Sequence, residues 1–277
     1  MNTEIFAPAK VNLSLRVIGR RDDGFHEVET LMAPVAGLAD RLVFTPAENF
    51  TLECSAPGVP LDESNLVTKA VRAFQRETGC ACAYHVLLEK RVPHGAGLGG
   101  GSSDAAAALR ALDDLESTHL GTERLAALAG ALGSDVPFFV YDQSCLCRGR
   151  GEIVQPHHCP LGRRILLLKP AFGVATPDAY QRWAGAAELP GVDYSTQVLD
   201  GLSLFNDLER PVFSKHLFLA EIKLWLLHQP GVAAALMSGS GSTMFALLDD
   251  AADAPDLVAR ALRELDPTLW SGVFRLA

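Results

Sequence analysis

Between residues 95 and 101 the chain places five glycines in seven positions, and Ser102 and Ser103 follow directly. No other stretch restricts the fold so strongly. An apolar run at His85 to Lys90 reads as a strand, and the alanine-rich Ser103 to Leu115 reads as a helix. The glycines therefore sit at a strand-to-helix junction. Ordering so many glycines costs chain entropy, which a mere hairpin or close helix–strand contact would not justify. Backbone free to approach a ligand, consecutive N–H groups and the positive end of a helix dipole together make an anion cradle. Ser102 and Ser103 add hydroxyl donors, and either has the chemistry of a helix cap. The stretch predicts a phosphate-binding loop.

Three kinds of phosphate loop fit a glycine run. A P-loop needs a lysine after its last glycine, and none follows here. Gly95, Gly97 and Gly100 match the dinucleotide fingerprint G-x-G-x-x-G literally. That fingerprint also needs a second parallel strand ending in an acidic residue about twenty positions on. Residues 103 to 132 read as helical throughout, so a nicotinamide-dependent oxidoreductase is disfavoured. A loop with a serine pair and no lysine remains.

The rest of the chain supplies the setting. Short β-like runs are expected at Glu4 to Phe6, Val11 to Val17, Val28 to Met32, Arg41 to Thr45 and Phe50 to Cys54. Helices are expected at Asn65 to Thr78, Thr122 to Leu132, Pro177 to Trp183, His216 to His228 and Ala254 to Leu265. Further strands are expected at Ile165 to Lys169, Thr243 to Leu248 and Val273 to Leu276. This non-alternating order predicts an α+β fold. The polar patch Gln155 to Pro160 suggests a boundary near residue 158, giving domains 1–158 and 159–277, with the last strand free to pack back on the first.

With 24 basic and 33 acidic residues the net charge is −9, which disfavours a nucleic-acid or anionic-membrane surface. The N-terminal residues lack the pattern of a signal peptide, and no apolar run approaches the ~20 residues of a membrane span. A cytoplasmic protein is expected, with its six cysteines as thiols. Cys80/Cys82 and Cys145/Cys147 have C-x-C spacing, which differs from the C-x₂-C knuckle of zinc sites and puts each pair on one strand face.

Three motifs carry a resemblance: Pro8-Ala9-Lys10-Val11-Asn12-Leu13, Gly95 to Ala107, and Ser238-Gly239-Ser240-Gly241. Together they resemble the GHMP kinases (galactokinase, homoserine, mevalonate and phosphomevalonate kinases) over nearly the whole chain. Arg21-Asp22-Asp23-Gly24-Phe25-His26 and Gly133-Ser134-Asp135-Val136-Pro137-Phe138-Phe139 are similar to one branch, whose substrate is a cytidine diphosphate-linked sugar alcohol of the non-mevalonate isoprenoid route. The resemblance implies a two-domain α+β fold with the active site in the interdomain cleft, ATP as phosphoryl donor and Mg2+ beside it. It implies catalytic roles for Lys10 and Asp135, the aspartate taking the hydroxyl proton and the lysine orienting it. Asn65, Lys90, Pro93, Gly95, Gly97, Leu98, Gly99, Gly100, Gly101, Ser102 and Ser103 match ATP-binding positions. Asn12, Phe25, His26, Tyr180, Gly239, Ser240 and Gly241 match substrate positions, with Phe25 and Tyr180 stacking on the cytosine and His26 reading its edge.

On its own, Lys10 would read as a surface lysine, Asp135 as a turn residue, and Phe25 and Tyr180 as core aromatics. Asp104 is repelled by a triphosphate and is expected to turn away or to act on Mg2+ through water; no direct metal ligand stands out. Two positions depart from the family pattern: Phe25 stands where tyrosine is common, and Ser242 where proline often rigidifies the last glycine motif. Another GHMP kinase of homoserine or mevalonate type, or a catalytically silent nucleotide-binding regulator, are the competing readings. A stacking pair for a base separates the first, and an intact Lys10–Asp135 pair the second. The sequence does not fix an oligomeric state.

Overall fold

A computed structural model describes residues 2–159 and 162–277; Met1 and Pro160, the end of the expected boundary patch, lie outside the described residues. Its first feature is a long antiparallel ribbon, β1 (Thr3–Arg20) with β2 (His26–Pro46), paired from Thr3↔Phe44 to Arg20↔His26. Four of the short runs expected from the sequence are thus two long strands. The residues that interrupt the apolar pattern fall at register shifts between Pro8/Ala9, Asn12/Ser14 and Val17/Gly19. The first leaves Ala36, Gly37 and Leu38 of β2 without a β1 partner, and the other two each leave one β1 residue, Leu13 and Ile18, so the ribbon bulges without ending.

The chain continues through β3 (Thr51–Cys54), α1 (Leu66–Thr78), β4 (Tyr84–Glu89), α2 (Gly100–Leu115), α3 (Gly121–Gly130), α4 (Val136–Tyr141), β5 (Cys145–Gly149) and β6 (Ile153–Pro156). After residue 162 come β7 (Arg164–Lys169), α5 (Thr176–Arg182), β8 (Gln197–Leu199), β9 (Leu202–Asn206), α6 (Glu209–Lys215) and α7 (Leu217–Leu227). Then follow β10 (Val232–Met237), β11 (Met244–Leu248), α8 (Ala254–Glu264) and β12 (Trp270–Leu276). The fold is mixed α+β.

Among the described residues the strands join in one sheet, ordered β10-β11-β7-β12-β2-β1-β9-β8. The length of β2 is what permits this. Its Arg41–Pro46 end pairs with β4, its Val28–Met32 end with β5, and its middle, Val35 and Ala36, with β12. One apolar cluster packs α1, α2 and α4 on the ribbon through Phe44, Phe74, Leu109 and Phe138. The alanines of α2 are buried there, and their small side chains let the helix lie close to the sheet. A second cluster gathers Leu166, Phe213, Ile222 and Leu257 around α6, α7 and α8. The third, including Val11, Val35, Leu98, Leu167 and Phe245, fastens the ribbon to the later strands.

Residues 103–132 are not helical throughout. Ser117 and His119 take positive φ between α2 and α3, breaking the helix without supplying a strand. The strand β10, Val-Ala-Ala-Ala-Leu-Met, carries no strand signature because alanine favours helix; its pairing with β11 overrides that preference.

Candidate active site

The glycine run divides between loop and helix. Gly95, Gly97 and Gly99 sit at φ +62°, +75° and +72°, while Gly100 opens α2. Gly99 occupies the cap position and no side chain caps the helix, so neither serine has the capping role. The first intrahelical bond runs from Ser103 N–H to the Gly99 carbonyl at 2.9 Å. The N–H groups of Gly100, Gly101 and Ser102 precede it and have no partner within the helix. All three residues line a cleft of about 560 Å³.

On the ribbon, Lys10 and Asn12 share one face of β1 by the two-residue period of a strand. The Lys10 side chain is almost fully buried, contrary to the surface position its sequence context suggests. Its Nζ donates to Asn12 Oδ1 at 2.6 Å and to the Gly97 carbonyl at 3.0 Å, and lies 3.5 Å from Asp135 Oδ2. Asn12 Nδ2 in turn donates to Thr30 Oγ1 at 2.8 Å, and that hydroxyl to the Ser14 carbonyl. Thr30, on β2 beside the β1 bulge, is a supporting residue that the sequence does not single out. Asp135 stands at the head of α4, with its side chain 37% exposed to the cleft. The third motif closes over this centre: Ser238 Oγ donates to the same Gly97 carbonyl at 2.9 Å.

Of the positions that the resemblance marks, Lys10, Asn12, Phe25, His26, Lys90, Pro93, Gly95, Gly97, Gly99, Gly100, Gly101, Ser102, Asp135, Tyr180, Gly239 and Ser240 line the cleft. Asn65, Leu98, Ser103 and Gly241 do not. Asn65 caps α1 through Val67 N–H and donates to the Pro60 carbonyl. Leu98 fills the apolar interior, its carbonyl accepting from Lys10 N–H. Ser103 is buried inside α2. Lys90 borders the cleft, but its ammonium is clamped between Asp40 and Asp104. Asp104 therefore faces away from the cleft. Burial lifts its carboxyl to about 7, against the pull of Lys90. Burial presses the Lys90 ammonium downward, but Asp104 and Asp40 outweigh it and raise its pKa.

At the far end of the cleft, the His26 ring lies 5.2 Å from that of Tyr180 and 6.2 Å from that of Trp183. Burial, with Arg20 nearby, lowers the His26 pKa, favouring the neutral ring. Tyr180 is half-buried, and desolvation pushes its phenol pKa up. Phe25 is half exposed, and the Arg150 guanidinium lies 4.7 Å over its ring. Phe25 thus faces Arg150, a cleft residue that the sequence does not single out. Ser242, where a proline is often found, is fully buried and donates to the Phe172 carbonyl at 2.6 Å. That bond supplies a restraint on the last glycine motif that the sequence alone does not suggest.

Family models agree with this architecture. The GHMP kinases N terminal domain matches residues 65–143 and the GHMP kinases C terminal domain residues 196–267. The chain belongs to the GHMP kinases. It is 42% identical over 277 residues to the 4-diphosphocytidyl-2-C-methyl-D-erythritol kinase of Methylacidiphilum infernorum (isolate V4), covering 98% of this chain and 96% of that protein. With the protein of the same name from Brevibacillus brevis it shares 40% over 260 residues, covering 90% and 88%. A crystal structure of 4-(cytidine 5'-diphospho)-2C-methyl-D-erythritol kinase superposes with TM-score 0.79 at 37% identity, over 99% of both chains. Homoserine kinase from Cytophaga hutchinsonii, at 17% identity and TM-score 0.64 over 100% and 94%, shares the fold.

Proposed function

We propose that this chain is an ATP-dependent kinase that phosphorylates the 2-hydroxyl of 4-diphosphocytidyl-2-C-methyl-D-erythritol, a step in non-mevalonate isoprenoid precursor synthesis. The observation that carries the reading is one cleft holding three things at once: a helix N-terminus with free N–H groups, the Lys10–Asp135 pair, and aromatic rings at the far end.

The ATP phosphates lie against Gly100, Gly101 and Ser102, where N–H groups and the helix dipole favour negative charge. The substrate hydroxyl sits beside Asp135. Its oxygen bonds to the γ-phosphorus as the bond to the β–γ bridging oxygen breaks and ADP leaves; its proton passes to Asp135. In a loose transition state that proton moves late, so positioning supplies most of the rate. Lys10, held by Asn12 and Gly97, places positive charge beside both the carboxylate and the transferring group. Tyr180 and Phe25 offer faces for the cytosine and His26 its edge, while Arg150 adds positive charge at that end.

The donor chemistry of the cleft fits Mg2+. The Ser102 hydroxyl is a hard oxygen donor lining the cleft at the helix terminus, and Mg2+, which keeps several waters and takes substrate phosphates as ligands, would need little more from the protein. Bound with ATP, the ion would neutralise charge on the β- and γ-phosphates. Asp104, committed to Lys90, is not part of that donor set.

Among the described residues no helix is long and apolar enough to cross a membrane. Free cysteines and ATP dependence support a cytoplasmic enzyme, and the acidic balance a small-molecule partner without nucleic acid. The division at residue 158 belongs to the same proposal. A homoserine- or mevalonate-type activity would leave the ring cluster without a base to hold. A silent nucleotide binder would have no need of Lys10 beside Asp135. A coupled ADP-release assay with the cytidine substrate, homoserine and mevalonate tests the choice. ADP should appear only with the first, and equal rates with homoserine or mevalonate would overturn it.

A further inference from the structure

The third glycine motif has no regular structure of its own, yet it forms one wall of the cleft. Gly239 is so close to the catalytic centre that a Cβ there would lie 3.1 Å from Asn12 Oδ1 and 3.4 Å from Lys10 Nζ. A polar group far away in sequence holds this turn. Asn206, 6% exposed at the end of β9, donates from Nδ2 to the Met237 carbonyl at 2.7 Å and to the Gly239 carbonyl at 2.8 Å. Its Oδ1 accepts from Leu208 N–H at 2.9 Å, which fixes which way the amide points. Glu209, three residues on, accepts from Met237 N–H at 2.9 Å and is itself paired with the buried Lys223 at 2.6 Å.

The placement of Asn206 makes this more than a loop restraint. Asn206 pairs in parallel register with Leu15 of β1, the strand that carries Lys10 and Asn12. One residue therefore links the strand bearing Lys10, through its backbone, to the turn lying over it, through its side chain. Among the described residues, neither Gly239 nor Ser240 spends its backbone N–H on another protein group. Both residues line the cleft.

We propose that Asn206 is a positioning residue for phosphoryl transfer, holding the Gly239–Ser240 turn at a fixed height over Lys10 and Asn12. It acts through that turn and does not touch substrate. The proposal rests on the kinase reading of the cleft. Losing both donated bonds frees the turn to move, and a displacement near 1 Å at a reacting centre costs on the order of 10²-fold.

Asn206→Asp tests it, because the shape is kept while the one nitrogen that donates both bonds becomes an oxygen facing two carbonyls. The expected result is a fall in kcat of about 10- to 100-fold. KM for ATP should stay within about threefold, since the helix α2 terminus is untouched. The ¹H–¹⁵N amide signals of Gly239 and Ser240 should shift while that of Gly101 stays in place. Ile222→Val, buried on α7 away from the cleft, serves as the control for a purely structural loss and should keep its kcat. If Asn206→Asp does not fold, Asn206→Ser, smaller and able to donate once, is judged by the same criteria. A kcat within threefold of the parent would overturn the proposal. So would an equal loss in Ile222→Val, or a slow variant whose Gly239 and Ser240 signals do not move. A parent protein that transfers no phosphoryl group would sink the kinase reading instead, and the amide signals would still report whether Asn206 holds the turn.

Discussion

Replacing Lys10 by methionine keeps the buried stem and deletes the ammonium. Two acceptors lose a charged donor, Asn12 Oδ1 at 2.6 Å and the Gly97 carbonyl at 3.0 Å, although Ser238 still reaches the latter. The 3.5 Å separation from Asp135 corresponds to about 5 kcal/mol at an effective dielectric of ~20 and about 1 kcal/mol in water. Asp135 is 37% exposed, so the lower part of that range applies, roughly 1–3 kcal/mol. The charge is worth more in the transition state, where removing one preorganised donor typically costs about 10²–10³-fold in kcat. Asp135→Asn, which keeps the shape and removes the acceptor, should cost ~10²–10⁴-fold. Because the two groups act as a unit, the double variant should lose far less than the product of the single losses. Single-turnover kinetics, with ATP affinity measured separately by calorimetry, read both quantities. ATP affinity should change little, since α2 is untouched. A folded Asp135→Asn protein with a near-parental rate would refute the assignment of the proton acceptor.

Gly101→Val should weaken ATP binding strongly with little loss of Tm, because a Cβ there meets only Leu66 at 3.7 Å; parental ATP affinity would contradict the phosphate site. Gly99→Val is a poorer probe, since its Cβ would strike the Phe139 ring at 2.7 Å in a left-handed backbone and disturb the fold itself. Tyr180→Ala and Phe25→Ala should each lose on the order of 1–3 kcal/mol of alcohol-substrate binding and none of ATP binding; a matching ATP loss would put the rings in the wrong pocket. Folding raises the Asp104 pKa from 3.8 to about 7 through burial, so the folded form holds an extra proton between those values. The parent should therefore lose stability as pH climbs from about 4 to about 7, and no more from this group above that. Asp104→Asn does not titrate, so its Tm relative to the parent should rise over that window; a difference flat from pH 4 to pH 8 would count against it.

The glycine-rich start of α2 was legible because glycine chemistry is local: a glycine run entering a helix marks a helix terminus open to a ligand. The lysine–aspartate pair was legible only through resemblance. Lys10 is buried beneath the glycine loop and bonds a carbonyl 87 residues away, a contact that leaves no local trace. Asn65 and Lys90 show how a side chain's partners stay hidden in the sequence. Asn65 caps α1, and Lys90 lines the cleft with its ammonium held between two carboxylates far off in sequence. The long ribbon was misread as short strands because bulges break periodicity without breaking pairing. Arg150, Thr30 and Asn206 were missed since each gains its role from register or from a loop contact made across the sheet.

The most direct measurement is ³¹P NMR of the reaction between ATP and 4-diphosphocytidyl-2-C-methyl-D-erythritol. One new phosphomonoester resonance should grow in step with ADP, while the diphosphate signals of the cytidine substrate keep their intensity. Accumulation of ADP with inorganic phosphate and no phosphomonoester, or release of cytidine monophosphate, would contradict transfer to the alcohol.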